Sequence, residues 1–115
     1  MTNKELIRKL VKYDLNTGIV TRIAKISWKG NIVKSKEFIP QSITPYGYYQ
    51  MNFLGRPHHL HRLIFLYVKG RFPIDDVDHI NGDRLDNRWV NLREVTRAEN
   101  LMNLGIKKDQ AHKHY

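Results

Sequence analysis

Apolar side chains recur at helical spacing in two parts of this chain. Leu6, Ile7, Leu10 and Val11 follow Thr2-Asn3-Lys4-Glu5, a Thr-x-x-Glu capping box, so a short amphipathic helix is expected to about Lys12. Over residues 59–68, Leu60, Leu63, Ile64, Leu66 and Tyr67 turn toward a core, and Gly70 with Pro73 beyond it stops that helix. Between the two, residues 13–21 read as strand, Asn16-Thr17-Gly18 turn, strand. Phe38-Ile39-Pro40 suits an edge strand, because proline donates nothing to a ladder. Residues 47–54 are strand-like and end at Gly55-Arg56-Pro57.

The pattern changes after Pro73. Residues 77–80 form a short apolar-ended strand that stops at Asn81-Gly82-Asp83, and Asp86-Asn87 marks a second polar bend. Residues 89–95, from Trp89 to Val95, are rich in strand formers. Thr96 and Glu99 then make another capping box, which predicts a helix from Arg97. After Asn103 periodicity is lost and the chain is expected to fray. The fold class that follows is α+β: an N-terminal helix and small antiparallel sheet leading into a strand, loop, strand, helix unit.

The distribution of charge adds a partner to this picture. Residues 1–74 carry 13 Lys/Arg against 3 Asp/Glu, a balance of +10, whereas residues 75–115 carry 7 against 8, a balance of −1. A basic body joined to an acidic, Asn-rich unit suits a polyanion held near a cation site. The chain has no cysteine, which excludes a disulfide framework and a thiolate zinc site and fits a reducing compartment. Its longest apolar run, residues 63–68, is too short to span a bilayer, and residues 1–12 lack the apolar region of a secretory signal, so no membrane partner is expected.

The order of words in the last third is specific. Asp78-His79 is followed by Asn91, twelve positions after the histidine, and by Asn100, nine further on. Around them stand His61-Arg62-Leu63, Ile80-Asn81-Gly82-Asp83, Asp86-Asn87-Arg88, Asn91-Leu92-Arg93, Thr96 and Glu99. This arrangement resembles the HNH endonuclease family over residues 61–103, with asparagine as the last letter, as in phage and intron-encoded members. The resemblance implies a ββα-metal module over residues 75–104, a basic DNA-contacting region over 1–74 and a frayed tail over 105–115. A phage or mobile-element origin would place the protein in a host cytoplasm.

The chemistry implied is hydrolysis of a DNA phosphodiester. A neutral imidazole at His79 takes a proton from water near pH 7. Asp78 and Asn100 offer hard oxygen ligands to one Mg²⁺ or Mn²⁺ ion, which relieves charge on the phosphate and the leaving oxygen. By the resemblance, Asn91 braces the loop and orients the base. Asp83 or Asp86 is an alternative ligand on residue type alone. Adjacent strand residues face opposite sides, so a shared site for Asp78 and His79 demands local distortion. Asp76 does not open a calcium loop, since Ile80 stands fifth and no glutamate closes it.

Arg93 and Arg97 flank this site as candidate phosphate ligands. Lys25, Lys29, Lys34, Lys36 and Arg56 are candidate DNA-backbone contacts. Trp28, Tyr46, Tyr48 and Tyr49 are aromatic candidates for base stacking or core. His58, His59 and His61 have no cysteine or distant histidine pair to complete a zinc site, and His61 is assigned to packing or support. His112 and His114 have no assigned role. The function expected is a divalent-metal-dependent DNA endonuclease, nicking or cutting both strands as a homodimer. The alternatives are a non-catalytic DNA-binding module on the same scaffold and a basic protein that binds an acidic partner.

Overall fold

A computed structural model describes residues 1–99. Among the described residues the architecture is α+β, with two complete helices and three small antiparallel sheets. Helix α1 (Asn3–Leu10) starts at the capping box: Thr2 Oγ1 accepts from Glu5 N at 3.1 Å, and Glu5 Oε1 accepts from Thr2 N at 3.4 Å. It ends two residues short of Lys12. Val11 is extended because Val11–Tyr13 is strand β1, paired with β2 (Val20–Ile26) in the register Val11↔Arg22 and Tyr13↔Val20.

The basic stretch around Trp28 is a hairpin. β2 turns through Ser27 to Asn31 into β3 (Ile32–Phe38), with Ala24 opposite Lys34 and Lys25 opposite Val33. Residues directly opposite share a face of the sheet. Lys34 therefore shares a face with Ala24 and Lys25 lies on the other, while Lys36 falls in the stretch before Phe38 where the register shifts.

The second sheet is β4 (Ser42–Ile43), β5 (Tyr49–Phe53) and β6 (Arg56–His59). Gly55-Arg56-Pro57 does not simply end a strand. Leu54 (φ 53°) and Gly55 (φ 77°) form a two-residue turn with both residues left-handed, and the chain returns antiparallel with Phe53 opposite Arg56. Such turns match the twist of the flanking strands. Pro57 is tolerated because β6 is an edge.

Helix α2 (Leu60–Lys69) is the centre of the molecule. Leu60, His61, Leu63, Ile64, Phe65 and Leu66 are all buried, a wider stripe than one helical face, because α1, β5, β7–β8 and Trp89 surround it. Gly70 adopts φ 82° and donates its N–H to Leu66 O at 3.0 Å, as the expected stop. Arg8 of α1 donates to Tyr67 O at 2.7 Å and so satisfies a carbonyl of the last turn.

Strands β7 (Asp76–His79) and β8 (Leu92–Val95) form the third sheet. The core crosses residue 74: Leu92 belongs to the same cluster as Ile7, Met51 and Leu63, with Val77 and Trp89 packed on it. A bidentate pair between Arg71 and Glu94 (2.7 and 2.8 Å) ties the linker after α2 to β8 and pulls the Glu94 carboxyl down to about 2. The strand expected over 89–95 begins only at Leu92. Trp89–Asn91 is a 3-10 turn, because Trp89 packs on Phe65 (ring centroids 5.0 Å) and Asn91 folds back onto the preceding loop. The capping box of Thr96 and Glu99 is formed and helical residues begin at Arg97. Asn100, the tail 105–115, His112 and His114 lie outside the described residues. Among the described residues no helix is long and apolar enough to cross a membrane.

A leucine in the left-handed region costs on the order of 1 kcal/mol relative to the residues that favour it. Leu54→Asn is expected to raise stability by about 1 kcal/mol, read as a higher urea midpoint with an unchanged slope; an unmoved midpoint would refute this turn geometry.

Candidate active site

The site grows from the pleat of β7. His79 stands opposite Leu92 and is 5% exposed, whereas Asp78 stands opposite Arg93 and is partly buried. The strand is regular through His79, with no bulge, so the distortion expected between these neighbours is absent. Asp78 and His79 occupy opposite faces. Asp78 Oδ2 accepts from Arg93 Nη2 at 2.9 Å, and His79 faces inward to Asn87, Tyr48 and His61.

The loop between β7 and the 3-10 turn is held by its own short polar side chains. Asn91, 4% exposed, accepts from Asn81 N through Oδ1 at 2.9 Å and donates through Nδ2 to Asp86 O at 2.8 Å. Its backbone carbonyl takes Ile80 N–H at 2.8 Å. One side chain thus pins both ends of the loop. Asp83 Oδ1 accepts from Leu85 N, and Asp86 accepts a bidentate fork from Arg88 and a bond from Asn81 Nδ2. The Arg88 fork holds the Asp86 carboxyl well below the usual carboxylate range. Both carboxylates are bonded within the loop, whereas Asp78 is paired with Arg93 across the ribbon.

Asn87 is the residue that motif reading misses. It is 2% exposed, and its Oδ1 lies 2.9 Å from His79 Nε2. A carbonyl oxygen only accepts, so this contact is a hydrogen bond in the tautomer that carries the proton on Nε2 and keeps a lone pair on Nδ1. In the sequence Asn87 reads only as part of a bend; the signal that marks it is the word Asp86-Asn87-Arg88. Burial pushes the His79 imidazole below its ordinary value, against the opposing pull of the Asn87 bond and of Asp78, Asp83 and Asp86. The ring is neutral at pH 7.

An aromatic wall stands behind it. Tyr48, His59, His61, Arg62, Asp76 and Val77 line a recess of about 230 Å³. The His61 ring meets His79 edge-on at 5.0 Å and stacks on His59 at 5.2 Å, and Arg84 lies 4.9 Å over Tyr48. Burial, with His79 next, drives His61 down to about 3. Among the described residues no group of three or more His, Asp or Glu side chains is placed to hold a metal ion. A cation at Asp78 would draw its other ligands from Asn100, phosphate and water, an all-oxygen set suited to a hard divalent ion.

The other candidates are dispersed. Lys25, Lys29, Lys34 and Lys36 are exposed on the β2–β3 hairpin, Lys29 beside Trp28 at its tip, and Arg56 is exposed on β6. Arg97 is exposed, and its backbone N–H donates to Asp75 Oδ2 at 3.2 Å.

Residues 58–102 match the model of the HNH endonuclease family. Over that stretch the chain is similar to HNH endonucleases. Over 45 residues it is 51% identical to "Uncharacterized HNH endonuclease L247" of Acanthamoeba polyphaga mimivirus, a match that covers 36% of this chain and 11% of that protein. Its fold is similar to that of a chain solved in "DNA binding and cleavage by the HNH homing endonuclease I-HmuI", with TM-score 0.56 and 23% identity over 90% of this chain and 58% of the other. The chain therefore spans a small part of the curated relative and just over half of the structural one. The HNH segment contains Asp78, His79, Asn87 and Asn91; residues 1–57 lie outside it and share only the fold likeness.

The buried histidines make stability depend on pH. His61 stays neutral in the folded chain down to about pH 3, whereas an unfolded histidine takes its proton near 6.5, so the unfolded state binds more protons throughout that window. Stability is complete above the upper limit and falls as pH drops below it, by about 1.4 kcal/mol per pH unit for this one group; His59 and His79 act in the same direction. Urea midpoints between pH 7 and 5 should fall steeply for the wild type and less steeply for His61→Phe. Parallel curves would contradict the burial of a neutral His61.

Proposed function

We propose that the protein is a divalent-metal-dependent DNA endonuclease in which His79 is the general base. The observation that carries this reading is the His79–Asn87 bond inside an HNH segment: it presents a neutral imidazole with Nδ1 unprotonated, the form a base requires. His79 Nδ1 takes the proton of the attacking water as the water oxygen bonds to phosphorus and the bond from phosphorus to the 3′ oxygen breaks, the leaving 3′ oxygen taking a proton from solvent water. Asn91 keeps the loop, and with it Asn87, in register with β7. Asp78 and Asn100 would hold the cation, Mg²⁺ or Mn²⁺, which when bound supplies charge relief at the phosphate and the leaving oxygen.

Arg93 and Arg97 lie at the outer edge of the site, where phosphate would approach. Arg93 also orients Asp78 through their ion pair. Lys34 and Lys36 on β3, with Lys29 at the hairpin tip, would give basic contacts suited to a DNA backbone. Lys25 faces away from Lys34 and Arg56 belongs to the second sheet, so the five cations would address DNA from different sides rather than as one patch. A homodimer would cut both strands, and a monomer would nick.

Supercoiled plasmid cleavage tests the reading. With Mg²⁺ or Mn²⁺ the wild type should yield nicked or linear product, EDTA should abolish it, and His79→Ala should lower the rate by about 10²–10⁴-fold. Equal cleavage by His79→Ala would remove His79 as the base. DNA retained at low salt but left uncut by the wild type with either metal would favour the non-catalytic binding module.

A further inference from the structure

Among the described residues Asn87 makes the hydrogen bond to the His79 ring, and its own support comes from the N-terminal part of the chain. Three consecutive residues, Asn87, Arg88 and Trp89, are met by the turn between β1 and β2. Tyr13 Oη donates to the Asn87 carbonyl in a buried bond. Trp89 N donates to Leu15 O at 3.1 Å. Gly18, at φ 77°, lies so close that a Cβ there would stand 2.6 Å from both Arg88 N and Asn87 C. The turn is itself rigid, with Asp14 Oδ1 accepting from Asn16 N and Thr17 N. Tyr13 is anchored to α2 by an edge contact with Tyr67 at 5.9 Å.

We infer that the turn of residues 13–18 is a positioning element for the base, holding Asn87 from behind so that its side-chain oxygen meets His79 Nε2. This rests on the proposed role of His79. Residues 13–18 lie outside the HNH segment, so the segment obtains the support of its base from the N-terminal region. Tyr13 and Gly18 are positioning residues; neither is placed to touch substrate. Burial raises the Tyr13 phenol above its ordinary value, so it remains a donor throughout the working pH range.

The test uses Tyr13→Phe, which keeps the ring and removes one donor, with Gly18→Ala as a harsher variant and Ile7→Ala as a core-destabilised control. Two readouts are taken on the full chain: kcat and KM for metal-dependent plasmid cleavage, and the imidazole ¹⁵N shifts of His79. The expected result is a kcat about 10- to 100-fold lower at unchanged KM for Tyr13→Phe. The His79 signals should move from a single Nε2–H tautomer to a mixture, and Ile7→Ala should show neither change while folded. Wild-type kcat and wild-type signals in Tyr13→Phe would overturn the inference, and so would a lower kcat with unmoved His79 signals. If the wild type cleaves nothing yet Tyr13→Phe shifts the His79 signals, the support stands and the nuclease reading falls.

Discussion

His79 is buried at the end of a two-stranded ribbon, and a buried imidazole must be neutral and must place its one N–H. Much of the local structure is the means of doing both. The acceptor is Asn87, which cannot reach His79 unless the loop after β7 closes on itself. Closure comes from Asn91 bonding to Asn81 N and Asp86 O, and from Asp86 locked by Arg88 and Asn81. Behind the loop stand Tyr13, Leu15 and Gly18, and behind the ring stand His61 and Tyr48. The apolar core, centred on α2, sets the distance between these two supports.

The same pleat that buries His79 turns Asp78 to the other face of β7, beside Arg93. Asp78 favours the protonated ring, but burial is the largest influence on His79 and moves it the other way. Arg93 holds Asp78 in place and offsets its charge.

Elements with a local cause were legible in the sequence. The capping boxes at Thr2 and Thr96, the apolar stripe of α2 and the Gly70 stop each depend on residues within one or two turns, and each is formed. Elements that depend on distant partners were not. The β2–β3 hairpin mixes apolar and basic residues without a clean alternation, so its strands, and the split of Lys25 from Lys34, appear only with the register. Trp89 has the propensity of a strand residue, but Phe65, twenty-four positions earlier, draws it into a 3-10 turn. Asp78, His79 and Asn91 stand out because their chemistry and spacing are unusual. Asn87 does not, because its role is defined by contacts to residues 8 and 74 positions away.

The central claim is that a neutral His79, held by Asn87, accepts the proton in strand cleavage, and its most direct test is the single-turnover rate against pH at saturating Mg²⁺. The account predicts a rate that rises with pH and levels off with a midpoint below 6.5, the side to which burial moves this imidazole. A rate that climbs without a break to pH 9 would contradict it, because hydroxide rather than His79 would then supply the nucleophile.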